Sequence, residues 1–128
     1  MKLHRLTVLR GAAVALVPGT LAALVNVVLS AQDPKPAAWL NLTLLLLVVA
    51  FFLGGMLAGR EAPHDAARHG AAAGIVAFVP IQLIGLLGRS DRGEPIQLGS
   101  IIFLGFLAAV AGTLGALVGA RRNAGRPV

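Results

Sequence analysis

An all-α bundle of four transmembrane helices with short loops is the fold class that this sequence predicts, and three observations predict it. Of the residues, 57% are hydrophobic and 12% carry charge, about half the roughly 25% of an ordinary soluble domain. The stretches 11–32, 36–59, 70–88 and 95–120 hold no charged residue, and each is 19 residues or longer. About 20 residues of helix, at 1.5 Å rise, cross a hydrocarbon core of about 30 Å. Only short polar breaks separate the four stretches. In lipid each crossing must be helical, because an extended segment would leave its backbone groups unpaired. The whole chain, 1–128, is therefore expected to be one integral membrane domain.

Helix 1 is expected at about residues 8–31. The opening "MKLHRLTVLR" has the look of a signal-peptide n-region, but the apolar run behind it exceeds the 7–15 residues of an h-region. "VLSAQ" is also a poor cleavage site, so a retained helix is predicted. Helix 2 is expected at about 37–60, helix 3 at about 66–88 and helix 4 at about 96–120. Pro18 and Pro80 are expected to break helices 1 and 3 locally, since each removes a donor and frees a carbonyl.

The charged knot between helices 2 and 3 reads as a turn. Arg60 closes helix 2, where a cation suits the negative helix end; Pro63 stops continuation, and Asp65 is placed to cap helix 3. Arg68 and His69 are expected at headgroup level. A zinc site would want histidines on one face, as at i and i+4, but His64 and His69 are five apart, about 140° out of alignment. "DAAR" at 65–68 is similar to the opening of the motif of CDP-alcohol transferases, yet the acids that hold their metals do not follow, the next being Asp91. No metal or cofactor is expected.

Charge sets orientation. An even number of crossings puts both termini on one side, with Lys2, Arg5, Arg10, Arg60, Arg68, Arg121, Arg122 and Arg126. Lys35, Arg89 and Arg92 fall on the other side, balanced there by Asp33, Asp91 and Glu94. The bias predicts an inward side bearing both termini and the knot. The net charge of +6 thus lies where an anionic inner leaflet attracts it, with Arg60, Asp65, Arg68, Arg121 and Arg122 at that interface. This is a membrane pattern, and no nucleic-acid partner is expected. Nine of the eleven basic residues are arginine, which together with abundant Ala and Gly suggests a GC-rich bacterial genome and a bacterial inner membrane. With no cysteine in the chain, disulfides and thiolate chemistry are excluded.

Sixteen glycines need a reason, because each costs about 1 kcal/mol of helix propensity relative to alanine. In a bilayer, small residues let helix backbones approach closely. Gly55 and Gly59 close helix 2, Gly70 and Gly74 open helix 3, and Gly115 and Gly119 close helix 4, each pair four apart. Gly105, Ala109, Gly112, Ala116 and Gly119 form one stripe on helix 4; Gly11, Ala15, Gly19, Ala22 and Asn26 form another on helix 1. Helices 2 and 3 are expected to touch at their inner ends through their glycines. "GGMLAGREA" and "GALVGARRNA" also end helices 2 and 4 alike, the pattern of two related hairpins, 1–62 and 63–128, or of two helices meeting the same interface.

Ionisable residues inside a membrane usually mark transport paths, and none lies well inside any of these four spans. Asn26, Asn41, Gln82 and Gln97 all fall toward the outward ends of the helices. They are expected to bond helix to helix, at about 0.6 kcal/mol per contact, or to line a polar vestibule.

The chain resembles the YrzE-type family of small four-helix bacterial membrane proteins of unknown function. "LRGAAVAL" at 9–16, "GGMLAGREA" at 54–62, "HGAAAG" at 69–74 and "GTLGALVGARR" at 112–122 carry the resemblance, which implies the four-helix fold and no catalytic residue. A small-multidrug exporter would need a glutamate in helix 1, and a fluoride channel a Phe-Ser-Thr track; neither is present. Nor does a nucleophile–base pair lie within the membrane, so no enzyme is expected. The expectation is a structural or accessory membrane protein acting through glycine-mediated packing, with room for a second copy or a membrane partner. The alternative is a small-solute transporter or channel.

Overall fold

A computed structural model describes residues 3–62 and 64–124, the side chains of 123 and 124 excepted. The roles assigned to Lys2, Pro63 and Arg126 lie outside the described residues. Four helices follow one another: α1 (Arg5–Ser30), α2 (Ala37–Glu61), α3 (Ala66–Asp91) and α4 (Leu98–Ala124). All are long and apolar enough to cross a membrane. No strand occurs among the described residues.

Successive helices run antiparallel, and the order around the bundle is α1, α2, α4, α3. Each neighbouring pair packs, α2 also touches α3 across the middle, and among the described residues α1 and α4 make no contact. The α2–α3 contact thus forms the short diagonal of the bundle and holds α1 and α4 apart.

The interior is built from small side chains. Ala15, Ala50, Ala58, Ala73, Ala77, Ala108 and Ala116 are wholly buried, while Phe51 and Ile81 are among the few large groups inside. Large apolar side chains point outward instead, with Val17, Leu87 and Ile102 more than two-thirds exposed. In water this would be inverted. In lipid, burying leucine brings little because the tails are as apolar as the core, so close backbone packing decides which face turns inward.

Both prolines lie inside uninterrupted helices, contrary to the expected breaks. Within a bilayer a chain that left the helix would strand several more backbone groups, so one lost bond is the smaller cost.

The α2–α3 turn differs from expectation at two residues. Asp65 occupies the N-cap position of α3, but with φ 52° and ψ 50° and with no side-chain cap bond. In that left-handed conformation its carbonyl, not its carboxylate, serves the helix, accepting from the His69 N–H at 3.2 Å. His69, expected at headgroup level, is 1% exposed. Its Nε2 accepts the His4 backbone N–H at 2.9 Å, and its Nδ1 stands 3.0 Å from the Asp65 carbonyl oxygen. With Nε2 accepting and Nδ1–H donating, both ring nitrogens are satisfied, which is how a polar ring can be buried at all.

The α3–α4 turn is ordered by a Schellman motif. The Gly93 N–H reaches the Ser90 carbonyl at 3.1 Å, and the Glu94 N–H reaches the Arg89 carbonyl at 2.9 Å. Gly93 supplies the required positive φ of 67°, a conformation that glycine adopts without a Cβ clash. The fold-back carries Glu94 over the end of α3.

Candidate functional site

The helices meet closely at the end that carries the α2–α3 turn and diverge at the other. At the close end, the missing side chains of α2 and α4 answer one another. A Cβ on Gly55 would strike the Gly112 carbonyl, and one on Gly59 the Ala116 carbonyl; reciprocally, Gly115 faces the Phe52 carbonyl and Gly119 the Met56 carbonyl. Each glycine thus aims a hydrogen, where a Cβ would be, at a carbonyl three residues before the partner helix's own glycine. This is the geometry of Cα–H···O contacts between helices.

Gly70 and Gly74 also face α4, at Gly112 with Ala116 and at Ala108 respectively. The open faces of Gly55 and Gly59, like those of Gly70 and Gly74, therefore converge on α4; α2 and α3 touch as expected, but these glycines turn toward α4 and not toward one another. Gly105 lies further along, beside the Phe78 ring. On the other flank, Gly11 and Gly54 face each other's carbonyls, and Arg10 pairs with Glu61 at 3.5 Å. Arg60 is half-buried, while Arg68, Arg121 and Arg122 are exposed around this same basic end.

At the opposite end, all four helices line an open cleft of about 460 Å³. It contains Asn26, Asn41 and Gln82, three of the four amides singled out in the sequence. Gln97 is exposed outside the cleft and accepts the Ser100 hydroxyl at 3.2 Å. Asn26 ties α1 to α2: its Nδ2 donates to Thr43 Oγ1 at 2.7 Å, and that hydroxyl donates to the Leu40 carbonyl at 2.7 Å. The buried Thr43 thereby satisfies both of its roles without water.

Gln82, Gly85 and Arg89 line the cleft from α3. At i, i+3 and i+7 they share one helix face. Across the mouth, Glu94 receives Arg92 through Nε at 3.0 Å and Nη2 at 3.3 Å, and Lys35 Nζ at 3.2 Å. Arg92 also reaches back to the Val27 carbonyl at 3.5 Å. The Schellman turn makes this bridge, because it delivers Glu94 to two cations from different loops. Hydrogen bonds from Arg92 and then Lys35 lower the Glu94 carboxyl from 4.5 to about 2.

Arg89 differs from its neighbours. Among the described residues its side chain has no ion pair or hydrogen bond, nor do those of Asn41 and Gln82. Asp33 and Asp91, which balance the charge of this end in the sequence, do not line the cleft. Lys35, Arg89 and Arg92 therefore face one carboxylate there, and the cleft is positive although the end as a whole is neutral. Sequence reading found the amides and missed these charges. The signal was present, since Gly93 followed by Pro95 after the last turn of α3 marks a helix C-cap.

A second groove of about 250 Å³ lies between α1 and α2 and is lined almost wholly by apolar groups, Pro18 and Leu53 among them.

The chain belongs to the family described as protein of unknown function (DUF3792), whose model matches residues 5–119. Neither the curated proteins nor the solved structures contain a match to this chain.

Proposed function

We propose that this chain is an accessory protein of the bacterial inner membrane, with both termini in the cytoplasm, working through its packed helices and not as an enzyme. The observation that supports this reading is the reciprocal glycine seam of α2 and α4. Two helices that meet carbonyl to Cα along two turns leave little room for a permeation path between them. The exposed arginines of the basic end suit an anionic leaflet, and the outward-facing leucines and valines suit lipid, a second copy or a membrane partner. Reconstitution into sealed vesicles tests the reading. An accessory protein leaves ion and small-solute leakage at the level of empty vesicles, and protein-dependent flux would refute it.

A second reading is supported by the cleft: an outward-facing vestibule that receives a small solute between Asn26, Asn41 and Gln82. It requires the cleft to be wet, which thiol labelling of Ser100→Cys measures directly in a chain without native cysteine.

A further inference from the structure

We propose that the cleft is an anion site, in which the Arg89 guanidinium binds a phosphate or carboxylate group with Gln82 and Asn41 as neutral donors. The inference rests on the cleft reading above and adds the chemistry of the ligand.

The three cations at the cleft are not equivalent. Lys35 and Arg92 share the carboxylate of Glu94, so each already has an anionic partner within the protein. Arg89, half-buried a turn below, has no such partner among the described residues. A guanidinium presents its donors in a planar fork that matches two oxygens of a phosphate or carboxylate. Charge-assisted bonds of this kind are about twice as strong as neutral ones. Beside helices and lipid the effective dielectric constant is below that of water, which strengthens the attraction further. Arg89 lies in the last turn of α3, where free carbonyls would otherwise attract it. Its own carbonyl is already taken by the Glu94 N–H, so the helix end competes less for the cation.

The site also has space. A Cβ on Gly85, midway between Gln82 and Arg89, would meet nothing within 4 Å. This glycine is not needed for helix packing, in contrast to Gly55 or Gly59. It leaves a shelf on which a tetrahedral or planar anion can rest against the backbone while Arg89 closes from one side and the two amides from the other. Gln82 and Asn41 can each donate through an NH₂ group. Neither has a partner among the described residues, although both line the cleft.

A dissolved anion and the phosphate of a lipid headgroup present the same chemistry, and the experiment separates them. The full chain carrying Ser100→Cys is placed in phosphatidylcholine nanodiscs and labelled with a neutral, water-soluble maleimide. Inorganic phosphate is titrated against chloride at constant ionic strength, and the labelling is repeated in discs containing phosphatidylglycerol. Protection by inorganic phosphate identifies a site for free anions. Protection by phosphatidylglycerol alone identifies a headgroup site. In either case Arg89→Gln weakens protection about tenfold or more, the loss of one bond to a charged group, and Arg89→Lys weakens it less. Gly85→Leu, whose Cβ enters open space and whose side chain fills the shelf, abolishes it; this variant serves as the test if Arg89→Gln does not fold. A thiol that labels freely and is protected by neither anion, or is protected equally in Arg89→Gln and Gly85→Leu, overturns the anion site and leaves the vestibule reading standing. A thiol that water-borne reagent never reaches overturns both.

Discussion

The ring of His69 fastens the start of α3 to the residue ahead of α1: its Nε2 accepts the backbone N–H of His4 at 2.9 Å, across 65 positions of sequence. The ring is fully enclosed, and its other nitrogen is satisfied by Asp65 within the same turn. One neutral imidazole thus closes the basic end of the bundle where α1 and α3 run parallel.

Removing that ring should be costly. His69→Ala takes the partner from the His4 N–H and opens a cavity where the buried ring stood, for an expected loss of about 2–4 kcal/mol. His69→Gln, which can still donate and accept, should recover part of the loss. Unfolding in graded denaturing detergent measures both. Equal stability of His69→Ala and the parent chain would show that the bond to His4 carries no weight.

Leucine at the glycine seam should act very differently from leucine at the cleft. Gly55→Leu or Gly59→Leu drives a side chain into the backbone of α4 and should cost about 1–3 kcal/mol or more, as overpacking does. At Gly85 a Cβ meets nothing within 4 Å, so Gly85→Leu should leave stability unchanged or slightly higher, since leucine is the better helix former. Spin-label distances across α2 and α4 should lengthen in the seam variants, with less change between α2 and α3. The reverse pattern would return the glycines to the helix pair that their sequence neighbourhood suggests.

That reversal marks where the sequence is readable and where it is not. The four helices, each long and apolar enough to cross a membrane, were legible because charge is absent from long runs and concentrated between them. That Asn26, Asn41 and Gln82 line one cleft was legible too, since alternating helix directions bring to one end of the bundle the helix ends that carry them. Which helix each glycine faces was not legible. With alanine and glycine on several faces and leucine elsewhere, hydrophobic periodicity names no inward side, and only the three-dimensional register brings Gly55 to Gly112. His69 was missed for a related reason: a histidine beside a charged turn looks solvated until a backbone N–H from another helix is found opposite it. Arg89 was missed because charges were counted by membrane side, whereas the cleft selects among them.

The Asn26–Thr43 bond should be worth little by itself. Asn26→Leu and Thr43→Val are each expected to cost about 0.6 kcal/mol, the mean for such contacts in membranes. A double-mutant cycle should show the two effects to be coupled. Strictly additive losses would mean that the amide and hydroxyl act independently, despite their 2.7 Å separation.

The bridge at the mouth of the cleft predicts an acid response. Hydrogen bonds from Arg92 and Lys35 favour ionised Glu94, whose folded value is about 2 against 4.5 in the unfolded chain. The resulting stabilisation is complete above 4.5 and is lost as pH falls from there through about 2. Glu94→Gln should remove this part of the acid sensitivity, seen as a flatter melting profile between those limits. An unaltered profile would show that the bridge does not form in the membrane-embedded protein.

The account depends most on four crossings with the basic end inside the cell, and sidedness of single cysteines tests it most directly. In intact spheroplasts a membrane-impermeant maleimide should label Ser100→Cys, while Leu3→Cys and Arg121→Cys should react only after lysis. Labelling of Leu3→Cys and Arg121→Cys from opposite sides would contradict the fourfold crossing. Labelling of both from outside, with Ser100→Cys protected, would contradict the orientation.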